Sequence, residues 1–206
     1  MNGLKLLNNK DVIRWCYTGI TPSTIVNTSN KVLLNKSRTM EKEWANGLLR
    51  KYYGYNNNIE IKQWTTKLGE EVVKEVLLLM GNNIYNKKSS YKSKLSKKTY
   101  EPDLECDKFL YEVKSRNWTT PGTAGEKILG VPMKYSELPQ LSGKQVKIIL
   151  VGFQEQEAKT GFGFGNLLCS SNCNPIASQM ISCYKNLGFE YIGLTDLLNQ
   201  LGFKNN

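Results

Sequence analysis

The chain has 206 residues, with 28 Lys plus Arg against 18 Asp plus Glu and no histidine, for a net charge of +10. A hydrophobic share of 40% is enough for the core of one domain, and the basic excess favours a polyanionic partner. The lack of histidine excludes His-metal nucleases, histidine-based triads and most zinc hydrolase sites, so acid–base chemistry must come from carboxylates, lysine or metal-bound water.

Five cysteines, an odd number, with no signal peptide ahead of them predict a reduced, intracellular and cytoplasmic protein. Cys106, Cys169, Cys173 and Cys183 could be gathered around zinc, but their spacing is not a paired Cys-x-x-Cys and zinc is the minor reading. No apolar run reaches membrane-spanning length.

Along the chain, Asp11 to Tyr17 predicts a short helix, and Thr21 and Ser23 open a polar segment able to cap a helix or meet phosphate. Thr39 to Lys51 reads as a helix with Met40, Trp44, Leu48 and Leu49 near one face and basic residues around it. That basic face either contacts DNA or is simply solvated. Asn56 to Asn58 marks a loop. Gln63 to Met80 is the clearest helix, capped by Thr65 or Thr66 and stopped by Gly81. Its buried stripe is Val72, Val73, Val76, Leu77 and Met80. Glu70 shares that inward side, whereas Glu71, Lys74, Glu75 and Leu78 lie on a wetter one. An acid at the core edge needs a partner. The competing account of both Glu70 and Glu71 is charge complementing the helix dipole.

Ile84 to Lys98 carries six lysines, Lys97 and Lys98 last, and no acid. It is either a phosphate-binding arm or a solvated loop. Tyr100 to Arg116 then reads as a β-hairpin. Its first strand ends at Pro102-Asp103, Asp107-Lys108 makes the turn, and Phe109 to Lys114 is the second strand. Side chains alternate along a strand, so Glu112 and Lys114 share a face and Asp103 joins them from the neighbouring strand. Two carboxylates so placed suit Mg²⁺, a hard cation that polarises phosphodiesters, while the lysine orients or deprotonates the attacking water. The competing account is an ordinary surface salt bridge.

After the hairpin, Ser115 to Ile128 is a polar, glycine-containing loop. Either Lys127, Lys134 and Thr123 support DNA binding or the active site, or a helix starts near Ala124 whose Ile128, Val131 and Tyr135 simply pack. Val146 to Phe153 is a buried central strand. Pro175 to Leu187 is a helix with Ile176, Met180, Ile181 and Tyr184 on one side. Phe189 to Leu194 is the last strand, and Thr195 caps a closing helix. Neither Gly143-Lys144-Gln145 nor the glycines of 161–165 forms a nucleotide-binding loop, so no nucleotide cofactor is expected. This order predicts an α/β fold with a mixed central sheet flanked by helices.

Pro102-Asp103 followed by Glu112-Val113-Lys114 resembles the PD-(D/E)XK signature of type II restriction endonucleases and their relatives. The run Gly122 to Tyr135 is similar to a segment of some type II restriction enzymes. The resemblance covers roughly residues 64–200. It implies a restriction-endonuclease-like core over 63–206, with 1–62 a mainly helical extension for DNA contact or dimerisation. It implies a Mg²⁺-dependent endonuclease on double-stranded DNA, with Mn²⁺ substituting and Ca²⁺ binding without cleavage. Asp103 and Glu112 would hold the metal, Glu70 would match the third acid supplied by the preceding helix, and Lys114 would position the water. Lys97, Lys98, Arg116, Asn117, Thr123, Lys127 and Lys134 are the DNA-contact candidates, and a two-fold homodimer is expected on a palindrome. The alternatives are a structure-selective nuclease of the Holliday-junction resolvase kind, or a non-catalytic DNA-binding module. The abundance of Asn and Lys suggests an AT-rich genome, bacterial or of a large DNA virus.

Overall fold

The computed structural model describes residues 4–26, 29–55, 61, 63–87, 89–120, 122–167 and 172–205, with 122–124 described by backbone alone. The chain opens with helix α1, Lys10–Thr18. Asn9 caps it by accepting the Asp11 N–H, and Gly19 ends it at φ +67. Helix α2 runs Lys31–Tyr53, so it begins well before Thr39. Asn30 sets that start by accepting the N–H groups of Val32 and Leu33. Helix α3 covers Trp64–Leu79. It starts after Gln63 with no side-chain cap, so Thr65 and Thr66 lie inside its first turn. Its stripe is Leu68, Val72, Val73, Val76 and Leu77, while Met80 falls outside, 39% exposed.

The two-residue strands β1 (Tyr91–Lys92) and β2 (Thr99–Tyr100) form an antiparallel ribbon. The lysine-rich segment is therefore a folded hairpin. Glu137 anchors it, accepting the N–H groups of Lys94 and Leu95 at 3.1 and 3.2 Å and the Ser93 hydroxyl. The main sheet has the order β3-β4-β5-β6. Strand β3 is Leu104–Glu105 and β4 is Phe109–Arg116, an antiparallel pair with Leu104 opposite Tyr111. Strand β5, Gln145–Gly152, runs parallel to β4 and to β6, Phe189–Gly193. The run 148–152 reads as continuous apolar sequence because β5 is central and covered on both faces there.

Two cores flank this sheet. On one side α1, α2 and α3 pack with Val113, Ile149 and Val151, joined by Leu194, Leu197 and Leu198 of helix α8, Leu194–Gln200. Leu6, Trp15 and Leu49 are fully buried in this layer. Residues before 62 thus complete the same core as those after it. On the other side lie Leu110, Ile148 and Leu150 of the strands. They meet the β4–β5 crossover, which comprises a 3₁₀ turn (Gly122–Ile128), helix α4 (Val131–Lys134) and helix α5 (Leu138–Ser142).

From β5 to β6 the chain passes through helix α6 (Phe153–Gln156), a π turn (Glu157–Gly161) and helix α7 (Pro175–Asn186). Only Ala177 of α7 is buried, and Ile176 stands 70% exposed, so the expected four-residue stripe is only partly used. Thr195 does not cap α8: its N–H and hydroxyl both turn to the buried Glu155 carboxylate. Among the described residues no helix is long and apolar enough to cross a membrane.

Candidate active site

The site is built on β4, and glycine sets how α3 meets that strand. A Cβ at Gly69 would lie 2.6 Å from Ser115 Oγ, so only glycine lets the helix backbone approach β4 this closely. Ser115 Oγ also donates to Thr65 O at 2.7 Å. Val113 and Ser115 thus face α3. By strand alternation Glu112 and Lys114 project from the opposite face, toward the crossover.

The Leu104–Tyr111 register, carried one residue further, sets Asp103 across from Glu112. Asp103 Oδ2 accepts the Val113 N–H at 2.8 Å. Lys114 Nζ donates to Glu112 Oε1 at 2.6 Å and to Val113 O at 3.3 Å, and lies 3.9 Å from Asp103 Oδ2. The structure therefore brings together Asp103, Glu112 and Lys114. Glu112 is 4% exposed. Burial, and after it the charge of Asp103, pushes its carboxyl above the ordinary glutamate value, against the pull of Lys114 and Tyr135. The two carboxylates share the single ammonium of Lys114, which lies 2.6 Å from Glu112 and only 3.9 Å from Asp103, an arrangement that a bound cation would further balance.

Tyr135, just after α4, reaches the same carboxylate. Its hydroxyl donates to Glu112 Oε1 at 2.7 Å, and Lys134 Nζ donates in turn to the Tyr135 oxygen at 3.0 Å. Burial and the Glu112 charge raise the Tyr135 pKa. Sequence reasoning gives Tyr135 only a packing role, and the folded crossover reveals the contact. Glu112 Oε2 and Asp103 Oδ1 accept no hydrogen bond among the described residues. One oxygen of each acid is thus open to a hard cation, and the donor set fits Mg²⁺.

Glu70 is not gathered into this group. It pairs with Lys67 at 2.8 Å, on a helix covering the other face of β4. Among the described residues no cluster of three acids or cysteines is placed to hold a metal. Of the cysteines, Cys106 is buried and Cys183 exposed, while Cys169 lies outside the described residues.

The DNA-contact candidates divide in two. Lys97, Lys98, Lys127 and Lys134 are exposed. Lys98 and Lys134 line one hollow of about 410 Å³ with Thr99, Tyr100, Glu101 and Tyr135, directly beside the acids. Arg116 and Asn117 are instead interior. Arg116 pairs with Glu157, donates to Thr120 O at 3.2 Å and lies over the Phe153 ring. Asn117 accepts the Trp15 indole N–H at 3.1 Å and donates to Glu41 at 2.6 Å. Their polar atoms hold the loop after β4 in shape, and burial keeps them from a phosphate. The Thr123 side chain lies outside the described residues.

Glu41, missed from the sequence, is the hub of that loop. Its carboxylate receives Ser37, Asn117 and Thr119 and is 1% exposed.

No family model matches the chain, and neither a curated protein nor a solved structure matches it.

Proposed function

We propose that this protein is a Mg²⁺-dependent endonuclease of the type II restriction kind that hydrolyses double-stranded DNA. The observation that carries this reading is the convergence of Asp103, Glu112 and Lys114 at the sheet edge, each acid with one uncommitted oxygen. The mixed sheet with helices on both faces suits a restriction-endonuclease-like core. Lys98 and Lys134 put positive charge beside the acids, where the phosphate backbone of DNA would run.

In this reading Asp103 and Glu112 hold the metal, and Mn²⁺ replaces Mg²⁺ while Ca²⁺ binds without supporting cleavage. Bound Mg²⁺ supplies a Lewis acid that polarises the scissile phosphodiester and offsets charge growing on its oxygens. Lys114 offsets the charge of Glu112 and orients the attacking water by hydrogen bonding. The water oxygen bonds to phosphorus in line with the departing ester oxygen and gives its proton to solvent. The phosphorus–ester bond breaks, and the departing oxygen takes a proton from solvent, so protons balance. No covalent enzyme intermediate forms. Two copies would act across a palindrome, one on each strand.

Purified protein incubated with a sequenced plasmid and Mg²⁺ tests the reading, with the cut ends mapped. Ends recurring at one short sequence are expected. Cutting confined to branched DNA would replace it with a junction-resolving nuclease. No Mg²⁺- or Mn²⁺-dependent cutting of any DNA would leave a binding module.

A further inference from the structure

We infer that Tyr135 is a positioning residue that fixes the plane of the Glu112 carboxylate, and so where its free oxygen is offered to the metal, an inference resting on the metal-dependent reading above. Glu112 Oε1 receives two hydrogen bonds, from Lys114 Nζ at 2.6 Å and from the Tyr135 hydroxyl at 2.7 Å. A carboxylate oxygen has about two lone pairs. Oε1 is therefore filled, and Oε2 is the atom left to ligate. The terminal torsion of a glutamate is broad and roughly two-fold. With Lys114 alone on Oε1, a flexible side chain would be all that opposes rotation of the carboxylate plane. The phenol supplies a second, rigid restraint from a different element.

Tyr135 is suited to that task because it is itself immobilised. Its ring packs in the second core with Ile128, Val131 and Leu138, and its centroid lies 5.8 Å from that of Tyr100. The Lys134 ammonium donates to the phenol oxygen and sits 4.6 Å over the ring. A hydroxyl has one proton, and a donor approaching its oxygen leaves that proton for Glu112. A phenylalanine would fill the same space without burying a polar atom, so the hydroxyl has a use beyond packing.

The test is Tyr135→Phe, which keeps the ring. Ca²⁺ binding is measured by titration calorimetry on the full chain with a short DNA duplex, for wild type and variant. The variant is expected to bind Ca²⁺ at least about tenfold more weakly, the loss typical when a partner of a ligand is removed. Its thermal midpoint should stay near that of wild type. Saturating Mn²⁺ should restore most of its cleavage rate while the half-saturating metal concentration rises, a split that a packing defect would not produce. Ca²⁺ affinity equal to wild type overturns the inference. Should Tyr135→Phe not fold, Lys134→Gln is titrated in its place, with weaker Ca²⁺ binding expected and unchanged binding overturning the inference. Failure of wild type itself to bind Ca²⁺ would instead remove the nuclease reading beneath it.

Discussion

Glu75 receives the backbone N–H of Leu6 on both of its carboxylate oxygens, at 3.1 and 3.0 Å. The same carboxylate accepts the N–H groups of Lys5 and Leu7 and the Tyr53 hydroxyl. One side chain of α3 thus fastens the segment before α1 and the end of α2. Glu75→Ala would strand several buried donors, each costing about 1–3 kcal/mol when left unpaired. A loss of about 3 kcal/mol is expected in urea denaturation, with the DNA-cleavage rate of the folded protein little changed.

The sequence reading set Glu75 on the wet side because an acid reads as surface. Counting from Leu68 and Val72 by four and three places position 75 inward, so the helical period carried the signal and residue type masked it. Glu41 was hidden the same way. By contrast, β5 was legible because a strand covered on both faces needs an unbroken apolar run. The turn and second strand of the hairpin were legible because turn residues and alternation agree locally, but the first strand is Leu104–Glu105 and begins after Pro102-Asp103 instead of ending there. Arg116 and Asn117 misled because a polar loop beside the strand that carries the candidate site looks like a binding surface. Their partners, Glu157, Trp15 and Glu41, are distant in sequence and meet them only after folding.

Lys114→Ala should retain DNA binding in Ca²⁺, measured by gel shift, while its Mg²⁺-dependent cleavage falls by about 10²-fold or more, the scale of a lost positioning group. Cleavage at the wild-type rate would remove Lys114 from the mechanism. Glu70→Gln, altering the acid paired with Lys67, should leave Ca²⁺ affinity within about twofold, because Glu70 stands apart from the other acids.

The raised pKa of Glu112 has a direction that can be checked. Folding makes this carboxyl hold its proton more tightly than the unfolded chain does. Without metal, its ionisation therefore costs stability as pH rises from the ordinary glutamate value through the raised one; below the ordinary value that cost is absent. Metal affinity should climb over the same interval. Asp103→Asn removes the like charge, so the Glu112 midpoint should fall. Carbon-13 NMR titration of labelled glutamate reads this, and a midpoint unchanged or higher in the variant contradicts the electrostatic account.

Salt dependence separates the exposed cations from the buried one. Lys98→Ala and Lys134→Ala should each lower the slope of log K against log salt for DNA binding by about 1. Arg116→Ala should instead lower the thermal midpoint, because it leaves Glu157 without its cation. Binding of the folded fraction should keep the wild-type slope.

Strand β3 has only two residues and lies at the sheet edge, whereas β4 is laddered on both sides. Asp103 hangs just beyond the short strand, and Glu112 sits on the fixed one. A divalent ion shared between them would act as a clasp, stapling a loosely held margin to the rigid middle of the domain. Ca²⁺ should then slow tryptic nicking after Lys108, in the turn that joins the two strands.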